Sequence, residues 1–237
     1  MIRKSRRKRK IRILKRIVFW GIIIFISCTG IYFYRKYKDI QLENIVSHTT
    51  ENEGIEGKLQ KMSNYDLRIK DILENKSQYP EELLELLTTN IETIEFVLNY
   101  PEKKNNLPAE TVGETRSGEI PLLLQWDERW GYQNYGDSML AVSGCGPTAL
   151  SMVIVGLTEN KQATPYQVAQ YAEQNGYYVE GVGSSWSMMT DIGSHFGIQG
   201  REISLDKDNI QTELESGHPI ICACVQEILQ QPDILSS

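Results

Sequence analysis

The chain of 237 residues has few of the side chains that build metal centres and disulfide frameworks: three histidines and four cysteines. Cys222 and Cys224 lie two positions apart, which is too close for an ordinary disulfide. A C-x-C pair without further ligands is also a weak metal signal. The sequence therefore predicts no disulfide framework, and it implies no metal or organic cofactor.

Acidic residues are absent from residues 1–38, which hold thirteen Lys and Arg. Residues 39–237 hold twelve basic and thirty-one acidic residues instead. An acidic body of this kind argues against nucleic acid as the main partner. The basic arm adjoins a long apolar run, and that position favours a membrane explanation for its charge.

The apolar run covers residues 17–34 and contains no charge and no proline. As a helix it would be about 27 Å long, close to the thickness of a bilayer's hydrocarbon core. Trp20 near one end and Tyr32 and Tyr34 near the other are typical of interfacial aromatics. Because most of the basic residues precede the run, we expect residues 1–16 in the cytoplasm, a transmembrane helix over 17–34 and an extracellular C-terminal domain. The chain would then be a single-pass protein of the cell membrane.

Two other interpretations of this segment remain open. A cleaved signal peptide also begins with basic residues, but no small-x-small cleavage site is evident before Thr29. Phe25-Ile26-Ser27-Cys28 faintly resembles a bacterial lipoprotein box. The apolar run continues past Cys28, which favours an uncleaved anchor.

The composition after the apolar run predicts four further segments. Residues 35–57 are polar and suit a stalk, and residues 58–101 have the apolar spacing of amphipathic helices. Residues 102–118 have the composition of a linker. The domain that follows covers 119–225, with predicted strands at 201–203 and from Pro219 to Val225.

Several helices of this chain are predicted from their first residues. Leu59 to Leu73 carries the apolar positions of one amphipathic helix, and Pro80 begins a second. Thr164-Pro165-Tyr166-Gln167 combines a capping residue, a first-turn proline and a capping-box glutamine. Asp206 is predicted to cap the last helix, which stops at Ser216-Gly217.

The segment Gly144-Cys145-Gly146-Pro147 predicts a thiol on a sharp turn at the start of a helix. A thiol attacks a carbonyl carbon as the thiolate, and a helix N-terminus favours that form through its unpaired N–H groups. Pro147 suits the first helical turn because its missing N–H would have no partner there. The backbone N–H of Cys145 could also stabilise an oxyanion.

Gln125, twenty residues upstream, is a candidate for the second oxyanion donor. It follows an apolar run and precedes a turn, so its amide could project into a cleft. The alternative is a small buried thiol that merely begins a helix, which is a common fate for cysteine. The presence of Gln125 favours the nucleophile.

These motifs together resemble the peptidase-C39-like group, papain-type relatives of the cysteine peptidases that trim double-glycine leaders from secreted peptides. The resemblance covers roughly residues 83–225, including helices similar to those that precede the domain in secreted Gram-positive members. The residues that carry it are Gln125-Trp126, Trp130-Gly131, Tyr135-Gly136, Gly144-Cys145-Gly146-Pro147-Thr148-Ala149, and Gly217 with Pro219.

The resemblance implies a fold, an activity and two site residues. The fold would be α+β and papain-like, with helices packed on one side of an antiparallel sheet. Cys145 would be the nucleophile and Gln125 the oxyanion donor in the hydrolysis of a peptide or protein substrate. A histidine on a later strand would serve as the base, oriented by an Asp or Asn further on.

The chain departs from that pattern because no convincing catalytic histidine is present. His195, His218 and His48 lie where the family has no base. The tail over 226–237 matches nothing expected, although codons can be chosen for it that encode a Gly-His pair in a shifted frame. We therefore predict a frameshifted, truncated and inactive peptidase-like chain with an incomplete fold. The alternative function is a non-catalytic surface module that binds peptide or cell-wall material.

Overall fold

The computed structural model describes Trp20, Phe25, residues 27–46 and residues 54–223. The predictions for residues 1–16 and 226–237, and those for His48 and Cys224, lie outside these described residues. The chain divides into two compact units, Met1–Leu98 and Asn99–Ser237.

The regular secondary structure described in the first unit is all helical. Residues 27–46 form helix α1. The helices that follow are α2 (Ile55–Met62), α3 (Leu67–Glu74), α4 (Glu81–Thr89) and α5 (Ile94–Lys103), with 3-10 turns at Lys76–Gln78 and Ile91–Thr93. Their shared core consists of fully buried apolar side chains: Leu59, Met62, Ile69, Ile72, Leu83, Leu87 and Val97.

The single helix predicted from Leu59 to Leu73 is in fact two helices. Asp66 has an extended backbone, and its side chain accepts a hydrogen bond from the N–H of Arg68, so it caps α3. A capping residue of this kind has non-helical dihedral angles, and the helix must restart after it. The apolar periodicity continues across the turn, which is why it did not reveal the break.

The second unit contains five α-helices and four short strands among its described residues after Lys103. The helices are α6 (Leu140–Ser143), α7 (Cys145–Thr158), α8 (Pro165–Gln174), α9 (Met188–Asp191) and α10 (Lys207–Glu215), with a 3-10 helix at Ile192–Phe196. The strands are β1 (Asn134–Tyr135), β2 (Ser138–Met139), β3 (Tyr178–Val179) and β4 (Gly183–Ser184). They form two antiparallel hairpins, with Tyr135 opposite Ser138 and Tyr178 opposite Ser184.

The core of the second unit lies between α7 and α8. Its fully buried residues include Trp130, Tyr135, Leu140, Leu150, Ile154, Val168, Ala169, Ala172 and Met188. The predicted linker over 102–118 contributes to this core, because Val112 is buried in it and donates a backbone hydrogen bond to Lys161. The packing of α7 on α8 fixes the direction in which α7 begins.

The predicted papain-like α+β fold is wrong for the described residues. The sheets are two hairpins of two residues per strand, and they do not form a central antiparallel sheet. Residues 201–203 and 219–223 are neither helix nor strand, and they make no backbone hydrogen bond to any described residue. Apolar, β-branched sequence favours a strand, whereas a sheet also needs a neighbouring strand to pair with.

The predicted transmembrane helix over 17–34 and the single-pass membrane location are contradicted. No helix within the described residues combines the length and apolar character needed to cross a bilayer. The helical residues 27–46 carry Arg35, Lys36 and Asp39 soon after the apolar run ends. Residues 17–19, 21–24 and 26 of the predicted span lie outside the described residues.

Candidate functional site

Cys145 is the first residue of α7, and its free thiol is exposed. The N–H groups of Cys145 and Gly146 donate to no acceptor among the described residues, and the first turn of α7 contains no acidic side chain. Unpaired N–H groups at a helix start concentrate partial positive charge there. The predicted position of the thiol is therefore the observed one, and the alternative of a buried structural cysteine does not describe it.

Glycine at position 146 lets the β3–β4 hairpin pack directly against the start of α7. A Cβ atom on Gly146 would lie 2.9 Å from the hydroxyl of Ser184 and 3.0 Å from the terminal methyl of Met188. Gly183 approaches the same turn from the other side with a positive φ of 96°, and a Cβ there would lie 2.8 Å from the carbonyl oxygen of Ser143. The β3–β4 hairpin therefore lies in close contact with the turn that contains Cys145, and these contacts require glycine at positions 146 and 183.

A buried tyrosine connects the two hairpins beside the thiol. The hydroxyls of Tyr135 and Ser184 are hydrogen-bonded at 2.8 Å, and the ring of Tyr135 packs edge-on against Tyr178. Burial raises the pKa of the Tyr135 phenol. Tyr135 therefore stays protonated around neutral pH and holds β4 in place through this hydrogen bond.

Gln125 is positioned by a tightly bonded turn. The backbone N–H groups of Trp130 and Gly131 both donate to the carbonyl of Asp127, and the buried Trp130 indole donates to the carbonyl of Leu124 at 2.8 Å. Arg129 lies over the Trp130 ring and pairs with Asp127. The sequence Gln125-Trp126-x-x-x-Trp130-Gly131 forms this local structure because the indole needs a buried acceptor.

The amide of Gln125 contacts the turn that leads into Cys145. Its Nε2 donates to the carbonyl oxygen of Ala141 at 2.6 Å and lies 3.5 Å from that of Val142, both in α6. The structure thus brings Gln125 to the segment directly before the thiol. One N–H is committed to Ala141, and within the described part of the chain the other has only the long contact to Val142.

Neither described histidine is hydrogen-bonded to the thiol. The His195 ring is stacked on Tyr171, with ring centroids 3.9 Å apart. His218 lies 2.8 Å from a carboxylate oxygen of Glu213, which also pairs with Arg201. These hydrogen bonds from His218 and Arg201 hold the pKa of Glu213 below its usual value. Among the described residues, Cys145 therefore has no histidine base in contact with it.

A cleft of about 650 Å³ lies along one face of α7. Leu150, Val153 and Leu157 of the helix line it, and residues 197–203 and 218–221 border it. The sequence interpretation missed this cleft. The available signal was the pair of predicted strands, at 201–203 and from Pro219 to Val225. Residues from both ranges border the cleft.

No three His, Cys, Asp or Glu side chains among the described residues are grouped as metal ligands would be. Comparison with protein-family models, with curated proteins and with solved structures found no match.

Proposed function

We propose that this chain carries a cysteine-nucleophile site of the peptidase-C39-like kind, with Cys145 as the attacking thiol and a peptide as the substrate. The observation that supports the proposal most directly is the exposed thiol on the first residue of α7, beside two N–H groups that have no acceptor among the described residues. A nucleophile and its oxyanion donors are needed at one place, and a helix start provides both.

The chemistry begins with attack of the Cys145 thiolate on a carbonyl carbon. The new S–C bond forms a tetrahedral oxyanion, which the N–H groups of Cys145 and Gly146 are placed to stabilise. Gln125 holds the turn before the thiol through Ala141, and its second N–H is the candidate for a further donor. Collapse of the oxyanion expels the leaving group and leaves an acyl-thioester.

Release of an amine or of the acyl group requires a proton donor and a general base. His195 is engaged with Tyr171 and His218 with Glu213, so neither described histidine serves the thiol. The chain is therefore expected to accept an acyl group from an activated substrate but to hydrolyse no peptide bond with useful turnover.

Labelling with a peptide vinyl sulfone tests the proposal. The thiolate adds to the β-carbon of the vinyl group, the α-carbon takes a proton, and intact-mass spectrometry counts the adducts. Cys222 is a second exposed thiol in the same unit and is not at a helix start, so it is the internal reference. We expect Cys145 to react at least about tenfold faster than Cys222 at neutral pH.

Two variants separate the site from simple exposure. Cys145→Ala should remove the fast adduct and leave the slower adducts of the other three cysteines, whereas Cys222→Ala should leave the fast adduct unchanged. Equal rates at the two thiols, or fast labelling that persists in Cys145→Ala, would overturn the proposal.

A further inference from the structure

The cleft along α7 exposes apolar side chains that a folded unit would ordinarily cover. Leu157 is 51% exposed and Trp186 is 63% exposed, although both line a concave surface. Ile203, Ile220 and Ile221 line the same cleft from its two borders. An apolar concave surface of this size is typical of a binding site.

The borders of the cleft are irregular segments whose backbone groups pair with no described residue. Residues 199–203 and 219–223 are neither helix nor strand, and their N–H and C=O groups bond to no described atom. A row of free N–H and C=O groups beside an apolar surface is what an incoming strand pairs with. The chemistry of the borders therefore favours an extended peptide over a compact apolar molecule, which could not use these groups.

The charges around the cleft favour a basic partner. Arg201 is paired with Glu213, which also bonds to His218, so the cation at this border is neutralised. Glu202 lines the cleft and has no ion pair among the described residues. The unit as a whole, residues 99–237, holds seven Lys and Arg against eighteen Asp and Glu. A peptide with a basic flank would meet a favourable potential here.

We propose that this cleft binds an extended, apolar peptide segment with a basic flank, which adds as a β-strand to a bordering chain. Its apolar side chains would lie against Val153 and Leu157 of α7, and its backbone would pair with residues 199–203 or 219–223. The proposal does not depend on the Cys145 chemistry. Cys145→Ala should therefore bind the peptide as the unchanged chain does, so each proposal can fail alone.

Fluorescence titration with a synthetic peptide tests the inference. The probe is acetyl-Lys-Val-Thr-Val-Thr-Val-Lys-amide, added to the full chain. Trp186 lines the cleft and should lose contact with water when the peptide binds, so its emission should shift to shorter wavelength. The shift should be absent in Trp186→Phe.

Two leucines provide matched variants. Leu157 in the cleft and Leu214 outside its lining are each the penultimate residue of a helix, and they are 51% and 54% exposed. Leu157→Ser should weaken binding by about fivefold, because the peptide can no longer cover that side chain. Leu214→Ser should leave the affinity unchanged, and both variants should unfold at similar temperatures.

Backbone chemistry decides whether the peptide pairs as a strand. The same peptide with N-methyl groups on alternate amides cannot donate those hydrogen bonds and should not bind. Binding of the N-methylated peptide with equal affinity, or equal weakening by Leu157→Ser and Leu214→Ser, would overturn the inference. So would a peptide-free dimer in sedimentation that Leu157→Ser abolishes, because a second copy would then occupy the cleft.

Discussion

Gly146 is the residue whose lack of a side chain allows the β3–β4 hairpin to pack on the start of α7. Gly146→Ala would bring a methyl group within 2.9 Å of the Ser184 hydroxyl and 3.0 Å of Met188. We expect a loss of about 1–3 kcal/mol in the free energy of unfolding, since the Cβ of Ser184 also lies within 3.1 Å and cannot withdraw without moving the hairpin. Chemical denaturation of the variant and the unchanged chain measures this difference in the free energy of unfolding.

Gly57 is the matched control for that substitution, because it also lies in a helix but a Cβ there would meet nothing within 4 Å. Gly57→Ala should stabilise the chain by about 0.5–1 kcal/mol. Stabilisation by Gly146→Ala as well would mean that the hairpin does not contact α7 as described.

Thr148 presents a buried hydroxyl that has no hydrogen-bond partner among the described residues. Thr148→Val removes that hydroxyl and keeps the shape, so we expect an unfolding free energy that is unchanged or raised by about 1 kcal/mol. Ser151, one turn further along α7, is the contrast, because its hydroxyl donates to the carbonyl of Ala163. Ser151→Ala should destabilise by about 1–3 kcal/mol. Destabilisation of the same size by Thr148→Val would show that its hydroxyl has a partner after all.

The cap of α3 should make the stability of the first unit depend on pH. Burial alone would raise the pKa of Asp66, but hydrogen bonds from Arg68 outweigh it, and the pKa lies below its usual value of 3.8. A lowered carboxyl pKa contributes stability above the unfolded value, and that stability is lost as pH falls through the folded value.

Asp66→Asn keeps an acceptor for the N–H of Arg68 and removes the charge. We expect it to lower the free energy of unfolding by about 1 kcal/mol at neutral pH and by less at pH 3, which is below the usual pKa of 3.8. Urea denaturation at the two pH values measures the difference. If Asp66→Asn lowers the free energy of unfolding by the same amount at both pH values, the ion pair between Asp66 and Arg68 is not the cause of the loss.

Helix starts were predictable because a few adjacent residues determine them. Thr164 caps α8 by accepting from the N–H of Gln167, with Pro165 as the first helical residue, and Asp206 caps α10 by accepting from Asn209. Both caps were predicted from the sequence and are confirmed. The break at Asp66 was missed because the apolar spacing of α2 continues into α3.

Sheet formation was not predictable from the same kind of local pattern. Residues 219–221 have strand composition, but they form no strand, and their backbone pairs with no described residue. Local sequence sets the conformation of a strand, whereas pairing depends on chain far away in the sequence. The papain-like sheet was inferred from family resemblance, and the described residues do not contain it.

The candidate site was only partly predictable for a related reason. The glycines and Pro147 determine that α7 begins at Cys145, and the structure agrees. The contact between Gln125 and Ala141 spans sixteen residues and depends on the bonded turn around Trp130. The commitment of one amide N–H to Ala141 could not be foreseen, because it requires knowing where α6 lies.

The division of the chain places the thiol, the cleft and an excess of acidic residues in one unit. That unit is proposed to combine a nucleophile without a base and a separate groove for an extended peptide. The central claim is the first of these, since it assigns the chain its chemistry. It predicts that Cys145 is acylated once and that the acyl group is then released only very slowly.

Acylation by a peptide p-nitrophenyl ester tests that claim most directly. Attack by Cys145 breaks the ester C–O bond, releases p-nitrophenolate and leaves the acyl group on sulfur, while the thiol proton goes to solvent. The account predicts a rapid release of one equivalent per chain, one acyl group on Cys145 by mass spectrometry, and almost no further release. Continued turnover that is lost in Cys145→Ala would reveal a base in contact with the thiol, and the absence of an acyl group on Cys145 would deny the nucleophile; either result would contradict the account.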